Sequence, residues 1–337
     1  MTLSVAIIGA GMMGRWHARA AGRAGARVVA VVDPHQSAAV ALAHGLAGAE
    51  PYATLDAAVA AAHVDVVHVC TPAHTHAAIA EAAILAGAHV LVEKPFTENA
   101  ASTGRLLDLA ESRSRLACPV HQFLFQRGVV EAAAALRQIG PLRHLTMTVC
   151  SAGAVGASLD EVDRVAREIL PHPLAMAARF VPGRLSEVQW MVLHPAPGEW
   201  LVSGAAGTVG LTFLVSMGGR PPRNELRFVA ERGSVSVDLF HGFAVVERGG
   251  VSRMRKALRP LALAGRTSLA ALANLARRTG RAEWAYPGLG ELVGRFYAAV
   301  LNHASAPIQS DEVRAVAEAT DRILEAGIPK VSRGPAR

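Results

Sequence analysis

The residues with the plainest chemical potential stand near the start of the chain. Gly9-Ala10-Gly11-Met12-Met13-Gly14 follows the apolar run Val5-Ala6-Ile7-Ile8 and opens an alanine-rich stretch of helical composition. In a strand–turn–helix unit the first glycine permits the tight turn, the second lets a phosphate approach the backbone, and the third lets the helix pack on the strand. The helix N-terminus, at Gly11, Met12 and Met13, then offers unsatisfied N–H groups and partial positive charge to a pyrophosphate. A second apolar run ends at Asp33, 19 residues beyond Gly14, close to the spacing at which an acid accepts the ribose hydroxyls of a dinucleotide. The alternative is an ordinary turn followed by a surface aspartate. Asp33 would repel a 2′-phosphate, and Pro34-His35-Gln36 brings no arginine to hold one. The pattern therefore points to NAD(H) over NADP(H).

Three more groups of residues could carry chemistry. Glu93-Lys94-Pro95 ends the fourth apolar run, in a chain with only three lysines against 31 arginines. Ligands of a parallel sheet sit beyond the carboxyl ends of its strands, which is where Lys94 falls, with Pro95 restricting the backbone. A lysine near a nicotinamide cation or another basic group has a lowered pKa and suits proton transfer; the alternative is a solvated lysine. Glu168 and His172 have i, i+4 spacing, so on a helix the carboxylate could orient the imidazole. Pro171 and Pro173 flank that histidine and disturb the helix, so it is either a proton-exchanging group or a cap at a kink. His121 and Gln122 follow the fifth apolar run and either line a pocket or simply end a strand. His74 and His76 lack further ligand-type neighbours, so no metal is expected there, and His76 is read as a hydrogen-bonding residue near the loop.

Short apolar runs must position these groups. Residues 5–8, 27–32, 64–70, 89–92 and 116–120 read as strands, and 12–24, 37–47, 76–86 and 98–113 as helices. That alternation predicts a doubly wound parallel sheet. Beyond Phe123 the pattern changes. Helices are expected over 128–139 and 160–180, then closely spaced β-like runs at 187–193, 199–202, 208–215, 226–230, 234–239 and 243–247, then helices near 288–303 and 311–326. Consecutive strands predict an antiparallel or mixed sheet. The fold class is α/β: an N-terminal doubly wound Rossmann domain over 1–122, and a C-terminal α+β domain with a large, mostly antiparallel sheet over 123–330.

The glycine loop, His17, Thr71-Pro72 with His76, Glu93-Lys94-Pro95, and Arg232-Gly233-Ser234-Val235-Ser236-Val237-Asp238 stand in an order and spacing that resembles the Gfo/Idh/MocA oxidoreductase family, which contains glucose–fructose oxidoreductase and inositol dehydrogenase. The resemblance runs over essentially the whole chain. It implies NAD(H)-dependent hydride transfer on a sugar, cyclitol or sugar-derived alcohol or ketone. Gly9, Gly11, Met12, Met13, Gly14, Asp33, Thr71, Pro72, His76, Glu93 and Lys94 would bind cofactor. Lys94 would reach both substrate and nicotinamide ribose. His172 would exchange the substrate proton with Glu168 orienting it, and His121 and Gln122 would touch substrate. A homodimer or homotetramer through the second sheet is also implied. Glutamate stands where the family has aspartate, and Leu124 where it often has arginine or tyrosine. These departures leave open an imine reductase or an NAD-assisted glycoside-cleaving enzyme, and beside them a non-catalytic nucleotide-binding sensor or scaffold.

Composition bounds the rest. The 337 residues suit two domains. Cys70, Cys118 and Cys150 are odd in number and scattered, against a disulfide framework and for a reducing, cytoplasmic compartment. Met1-Thr2-Leu3-Ser4 lacks the basic region of a secretory signal, and no run reads as a membrane span. The net charge of +7 is local: residues 251–282 hold eight basic residues and no acid. Helical phasing puts Met254, Leu258, Leu261, Leu269 and Leu272 on one side and Arg255, Lys256, Arg259, Arg266 and Arg277 on another, with Pro260 and Gly265 expected to split the segment into two helices. It suits an anionic substrate, peripheral contact with an anionic membrane, or a helix pair with solvated arginines. Nucleic acid is not expected, because no interleaved aromatics accompany the charge.

Overall fold

The computed structural model describes residues 2–181, 185–250, 252–280 and 285–327. The chain begins β1 (Ser4–Ile8), α1 (Met12–Arg23), β2 (Arg27–Val32), α2 (Gln36–Ala43), β3 (Glu50–Tyr52), α3 (Leu55–Ala61), β4 (Val66–Val69), α4 (His76–Leu85), β5 (His89–Val92), α5 (Ala100–Ser112) and β6 (Ala117–Pro119). It continues with α6 (Arg127–Ile139), β7 (Leu142–Cys150), α7 (Leu159–Ile169), α8 (Pro171–Phe180), β8 (Met191–Ala196), β9 (Glu199–Ala206), β10 (Val209–Ser216), β11 (Arg223–Ala230), β12 (Gly233–Asp238) and β13 (Phe243–Arg248). It closes with α9 (Arg253–Gly280), α10 (Leu289–Leu301) and α11 (Ser310–Gly327). Two compact units result: residues 1–126 with 283–317, and residues 127–282 with 318–337.

The first unit is built on a parallel sheet in the order β3-β2-β1-β4-β5-β6. Its central strands are near-continuous apolar runs because helices cover both faces, and Val5, Ile7, Val67 and Leu91 are fully buried. Strand order reverses between β1 and β4, so the crevice beyond their carboxyl ends is where such a sheet takes a ligand. Two elements were not anticipated, the short β3 and α3. The placement of the whole of 123–330 in the second domain is also corrected, because 123–126 and 283–317 join the first unit. Helix α10 packs on α1 and on the 3-10 turn Gln122–Phe125. Gly288 caps α10 with φ +93°, and a Cβ there would lie 2.2 Å from the Gln122 carbonyl oxygen.

The second unit holds a seven-stranded sheet in the order β13-β12-β11-β7-β10-β9-β8, antiparallel except where β10 runs parallel to β7. Strand β7, not anticipated, is the central strand. Its Leu145, Met147 and Val149 point to the buried face, with Phe213 of β10 and Leu226 and Phe228 of β11 beside them. Three further expectations change. The run at 187–193 is a 3-10 turn (Leu185–Glu187) followed by β8. The helix over 160–180 is two helices that meet at Leu170, because Pro171 has no N–H to continue the first and serves as the first residue of the second. The basic segment is one helix through Pro260 and Gly265. Contacts on both sides of the proline hold its phase: Arg259 pairs with Glu247, Arg266 donates to the Val246 carbonyl, and Asn274 donates to the His241 carbonyl.

Buried Asp163 fastens α7 to the sheet. Its Oδ1 accepts from His194 Nε2 at 2.8 Å, Trp200 Nε1 at 3.0 Å and Gly198 N at 3.1 Å, while Oδ2 pairs with Arg167 at 2.8 Å. The His194 and Trp200 rings stack at 4.1 Å, and Gly198 turns at φ +81°. Burial works to raise the Asp163 pKa, but the Gly198, Trp200 and His194 donors outweigh it and hold the carboxyl below its ordinary value. Its contribution to stability is complete above pH 3.8 and lost as the pH falls through the lowered value. Asp163→Ala strands the buried Gly198 and Trp200 donors and the partly buried His194 and should cost about 2–4 kcal/mol in urea unfolding at neutral pH, with the difference from wild type narrowing in acid. Equal unfolding midpoints at neutral pH would show that the cluster does not fasten the helix.

Candidate active site

The glycine loop has the shape a dinucleotide phosphate requires. Gly9 sits at φ +98°, and a Cβ on it would lie 2.6 Å from the Cys70 carbonyl oxygen. A Cβ on Gly14 would lie 1.8 Å from the Gly9 carbonyl oxygen, so only glycine lets α1 start this close to the strand. Above Gly11 there is open space, with no atom within 4 Å of a Cβ built there. Among the described residues no side chain caps α1, and Met12 is exposed, so the first-turn N–H groups face that space. Asp33, at the end of β2, accepts from Ala10 N at 2.8 Å and His35 N at 2.9 Å. Those bonds fix the carboxylate against the loop, and each oxygen keeps a second lone pair for a hydroxyl. The cradle and its acid fit a dinucleotide.

Below the loop runs a buried chain of hydrogen bonds. Glu93 Oε1 lies 3.1 Å from His17 Nε2, His17 Nδ1 lies 2.8 Å from His68 Nδ1, and His68 Nε2 lies 2.8 Å from the Tyr297 hydroxyl. All four side chains are buried. An ionised carboxylate only accepts, so His17 donates from Nε2 and, when neutral, accepts at Nδ1. His68 then donates from Nδ1 and accepts at Nε2 from the tyrosine. Burial, then His17, keeps His68 well below its ordinary pKa, consistent with a neutral link. Burial works to raise the Glu93 pKa, but the hydrogen bond and charge of His17, with Lys94 next to it, hold the carboxyl below its ordinary value. The other oxygen of Glu93 accepts from the Lys94 backbone N–H at 3.1 Å. The carboxylate thus fixes the backbone from which Lys94 projects, at the carboxyl end of β5.

The remaining first-unit candidates surround this point. Thr71 and Pro72 follow β4, and the Thr71 hydroxyl accepts from Thr75 at 2.7 Å. His76 is buried behind the loop, with Nδ1 2.7 Å from the Pro95 carbonyl oxygen and Nε2 2.8 Å from that of Thr71. It clamps the two loops together, with both ring nitrogens facing backbone carbonyls. His121 and Gln122 are buried where β6 passes into its 3-10 turn. The Gln122 side-chain oxygen has no hydrogen-bond partner among the described residues, a state a ligand donor would relieve.

In the second unit, His172 occupies the first turn of α8 and is buried, while Glu168 stands in the last turn of α7. The two residues therefore belong to different helices, joined at Leu170, which itself has helical dihedrals (φ −52°, ψ −36°). The Glu168 carboxylate pairs with Arg164, which also binds Glu161. Sequence reasoning did not find His68, Tyr297 or the Asp163 cluster. His68 carried a signal, as a lone polar residue in the buried run Val66-Val67-His68-Val69. Tyr297 lies 229 residues away from it and carried none.

Residues 3–121 match the model of an oxidoreductase family with an NAD-binding Rossmann fold. Inositol 2-dehydrogenase of Rhizobium meliloti (strain 1021) is 46% identical over 96 residues, 28% of this chain and 28% of that protein. The match thus spans under a third of that curated relative. UDP-N-acetylglucosamine 3-dehydrogenase GnnA from Acidithiobacillus ferrooxidans has the same fold, with a TM-score of 0.75 and 19% identity over 97% of this chain and 98% of that one. KijD10, a 3-ketoreductase from Actinomadura kijaniata solved with NADP, superposes with a TM-score of 0.73 at 18% identity, covering 97% and 98%.

The hydrogen-bond chain yields a paired test. Tyr297→Phe deletes the hydroxyl that meets His68 Nε2 and should lower unfolding free energy by about 1–3 kcal/mol. Tyr286→Phe, whose hydroxyl makes an exposed contact with Met12 Sδ at 3.5 Å, should change it by less than about 0.5 kcal/mol. Equal effects in urea titrations of the two variants would argue against the chain.

Proposed function

We propose that the chain is an NAD(H)-dependent oxidoreductase of the Gfo/Idh/MocA type, acting on a sugar, cyclitol or sugar-derived alcohol or ketone; the match of residues 3–121 to that family's model supports this reading. The observation that carries the reading is the nearness along one sheet edge of three things: the open glycine cradle, Asp33, and Lys94 on a backbone held by buried Glu93. The cradle binds the pyrophosphate, and Asp33 takes the ribose hydroxyls and favours NAD over NADP by charge. A bound nicotinamide supplies or accepts the hydride. Lys94 holds the substrate oxygen and passes a proton at Nζ. His172 exchanges the substrate proton at its imidazole, with Glu168 acting as its orienting partner. Gln122 and His121 contribute to substrate hydrogen bonding. The enzyme works in the cytoplasm as a homo-oligomer. Exposed Met191, Leu193, Leu201 and Val229 on β8, β9 and β11 support a partner on the second sheet.

Fluorescence titration with NADH and NADPH tests the cofactor. NADH should bind more tightly, and Asp33→Ala should weaken NADH at least about tenfold while sparing NADPH. A preference of the wild type for NADPH would overturn the assignment of Asp33. Lys94→Met and His172→Ala should each bind NADH normally yet lose at least about 100-fold in kcat/KM, in a screen over sugars and cyclitols. Undiminished turnover in either variant would remove that residue from the chemistry. Turnover without net NADH accumulation would favour cofactor-assisted bond cleavage over net oxidation.

A further inference from the structure

Two helix ends of the first unit depart from the pattern set by two others. After α1 and α4 the residue that turns left-handed is glycine, Gly25 at φ +80° and Gly87 at φ +89°. Glycine is the usual occupant of this position because it has no Cβ to clash. After α5 and α10 the same closing bonds form: Arg115 N donates to the Ala110 carbonyl at 2.8 Å, and Ala304 N to the Ala299 carbonyl at 2.9 Å. Here, however, the left-handed residues are Ser114 at φ +53° and His303 at φ +50°. Each costs backbone energy that glycine would not. Both line one cleft of about 570 Å³ in the first unit. Side chains kept against their backbone preference gather where something besides packing selects them.

The cleft lies at the amino ends of β5 and β6, beside His89 and Ala117, whereas Lys94 stands past the opposite end of β5. Its half-buried side chains, His89 and Arg115, are donors that lack acceptors. Arg115 meets no carboxylate among the described residues. Its Nη1 makes a long 3.4 Å bond to the neighbouring Ser114 carbonyl, and its Nε is buried with no acceptor. His89 Nδ1 accepts from Leu116 N at 2.9 Å, which leaves the ring proton on Nε2. Burial, then the charge of Arg115, holds the His89 pKa down to about 4, with Asp65 opposing and His303 adding to the shift. His89 is thus a neutral donor with Arg115 and His303 near it. Arg314, also on the wall, already pairs with Asp108 at 2.6 Å. We propose that this cleft binds a small metabolite through one oxyanion group, phosphate or carboxylate, held by Arg115, His89 Nε2 and His303. A guanidinium without a carboxylate forms charge-assisted bonds to such a group, and the volume suits a metabolite-sized ligand. The acids of the cleft, Glu111 and Asp311, are exposed at its rim. They select against a second negative charge on the ligand.

Isothermal titration calorimetry of the full chain with inorganic phosphate and with lactate tests this. At least one should bind wild type with a Kd of about 1 mM or below, and the tighter of the two assigns the oxyanion as phosphate or carboxylate. Arg115→Gln should weaken that binding at least about tenfold. His303→Gly should weaken it at least about threefold. Because glycine is the residue that this helix end prefers, His303→Gly should also unfold at the wild-type midpoint or above. Binding lost from a chain that folds as well as wild type marks a ligand contact and not a structural one. Failure of both probes to bind wild type at about 20 mM would overturn the proposal. So would affinities unchanged in both variants. Phosphate seated in the glycine cradle instead would be displaced by NADH and indifferent to both substitutions, which likewise overturns it.

Discussion

A buried carboxylate is costly unless every lone pair finds a donor, and the first unit is arranged around meeting that condition for Glu93. His17 comes from α1, His68 from β4, Glu93 from the end of β5 and Tyr297 from α10. The hydrogen bonds therefore tie two strands and two helices at one point beneath the glycine loop. The segment containing Tyr297 reaches the sheet only after the chain has built most of the second unit. Its return explains why the first domain is discontinuous. The result is rigidity where it matters: the same carboxylate that needs the chain also accepts from the Lys94 N–H and sets the backbone of the residue we propose for proton transfer.

The second unit solves a similar problem with Asp163, and the solution is of a different kind. Three of its donors converge on one oxygen, and they come from the turn and strands at the β8–β9 edge. The bonds hold a helix against an edge hairpin. Without them α7, whose outer face carries the Arg164 pairs with Glu161 and Glu168, would rest on few apolar contacts. Since α7 leads directly into α8 at Leu170, Asp163 also bears on where His172 begins its helix.

Much of this was legible in the residues. The glycine loop and Asp33 are local chemistry at fixed spacing, and the parallel strands are short apolar runs that periodicity finds. Glu93-Lys94-Pro95 is likewise contiguous. What escaped was set by tertiary partners. Strand β7 is central in its sheet, yet its polar alternates His144, Thr146 and Thr148 dilute the apolar signal that marks the other strands. Strand β3 is three residues long and exists through its pairing with β2. Pro260 reads locally as a helix breaker, but anchors on both sides of it keep α9 in one piece. Glu168 and His172 have helical spacing in the sequence, and the joint at Leu170 that divides α7 from α8 falls between them.

The Glu93–His17–His68–Tyr297 chain has a consequence for how this sequence can vary. Each imidazole in it has one donor and one acceptor, and both are committed in a single direction. Replacing any one member strands its neighbours in a site with no water-facing alternative. The four positions are thus expected to drift together or not at all. Related chains should divide into those that keep the whole set and those that have exchanged it entirely.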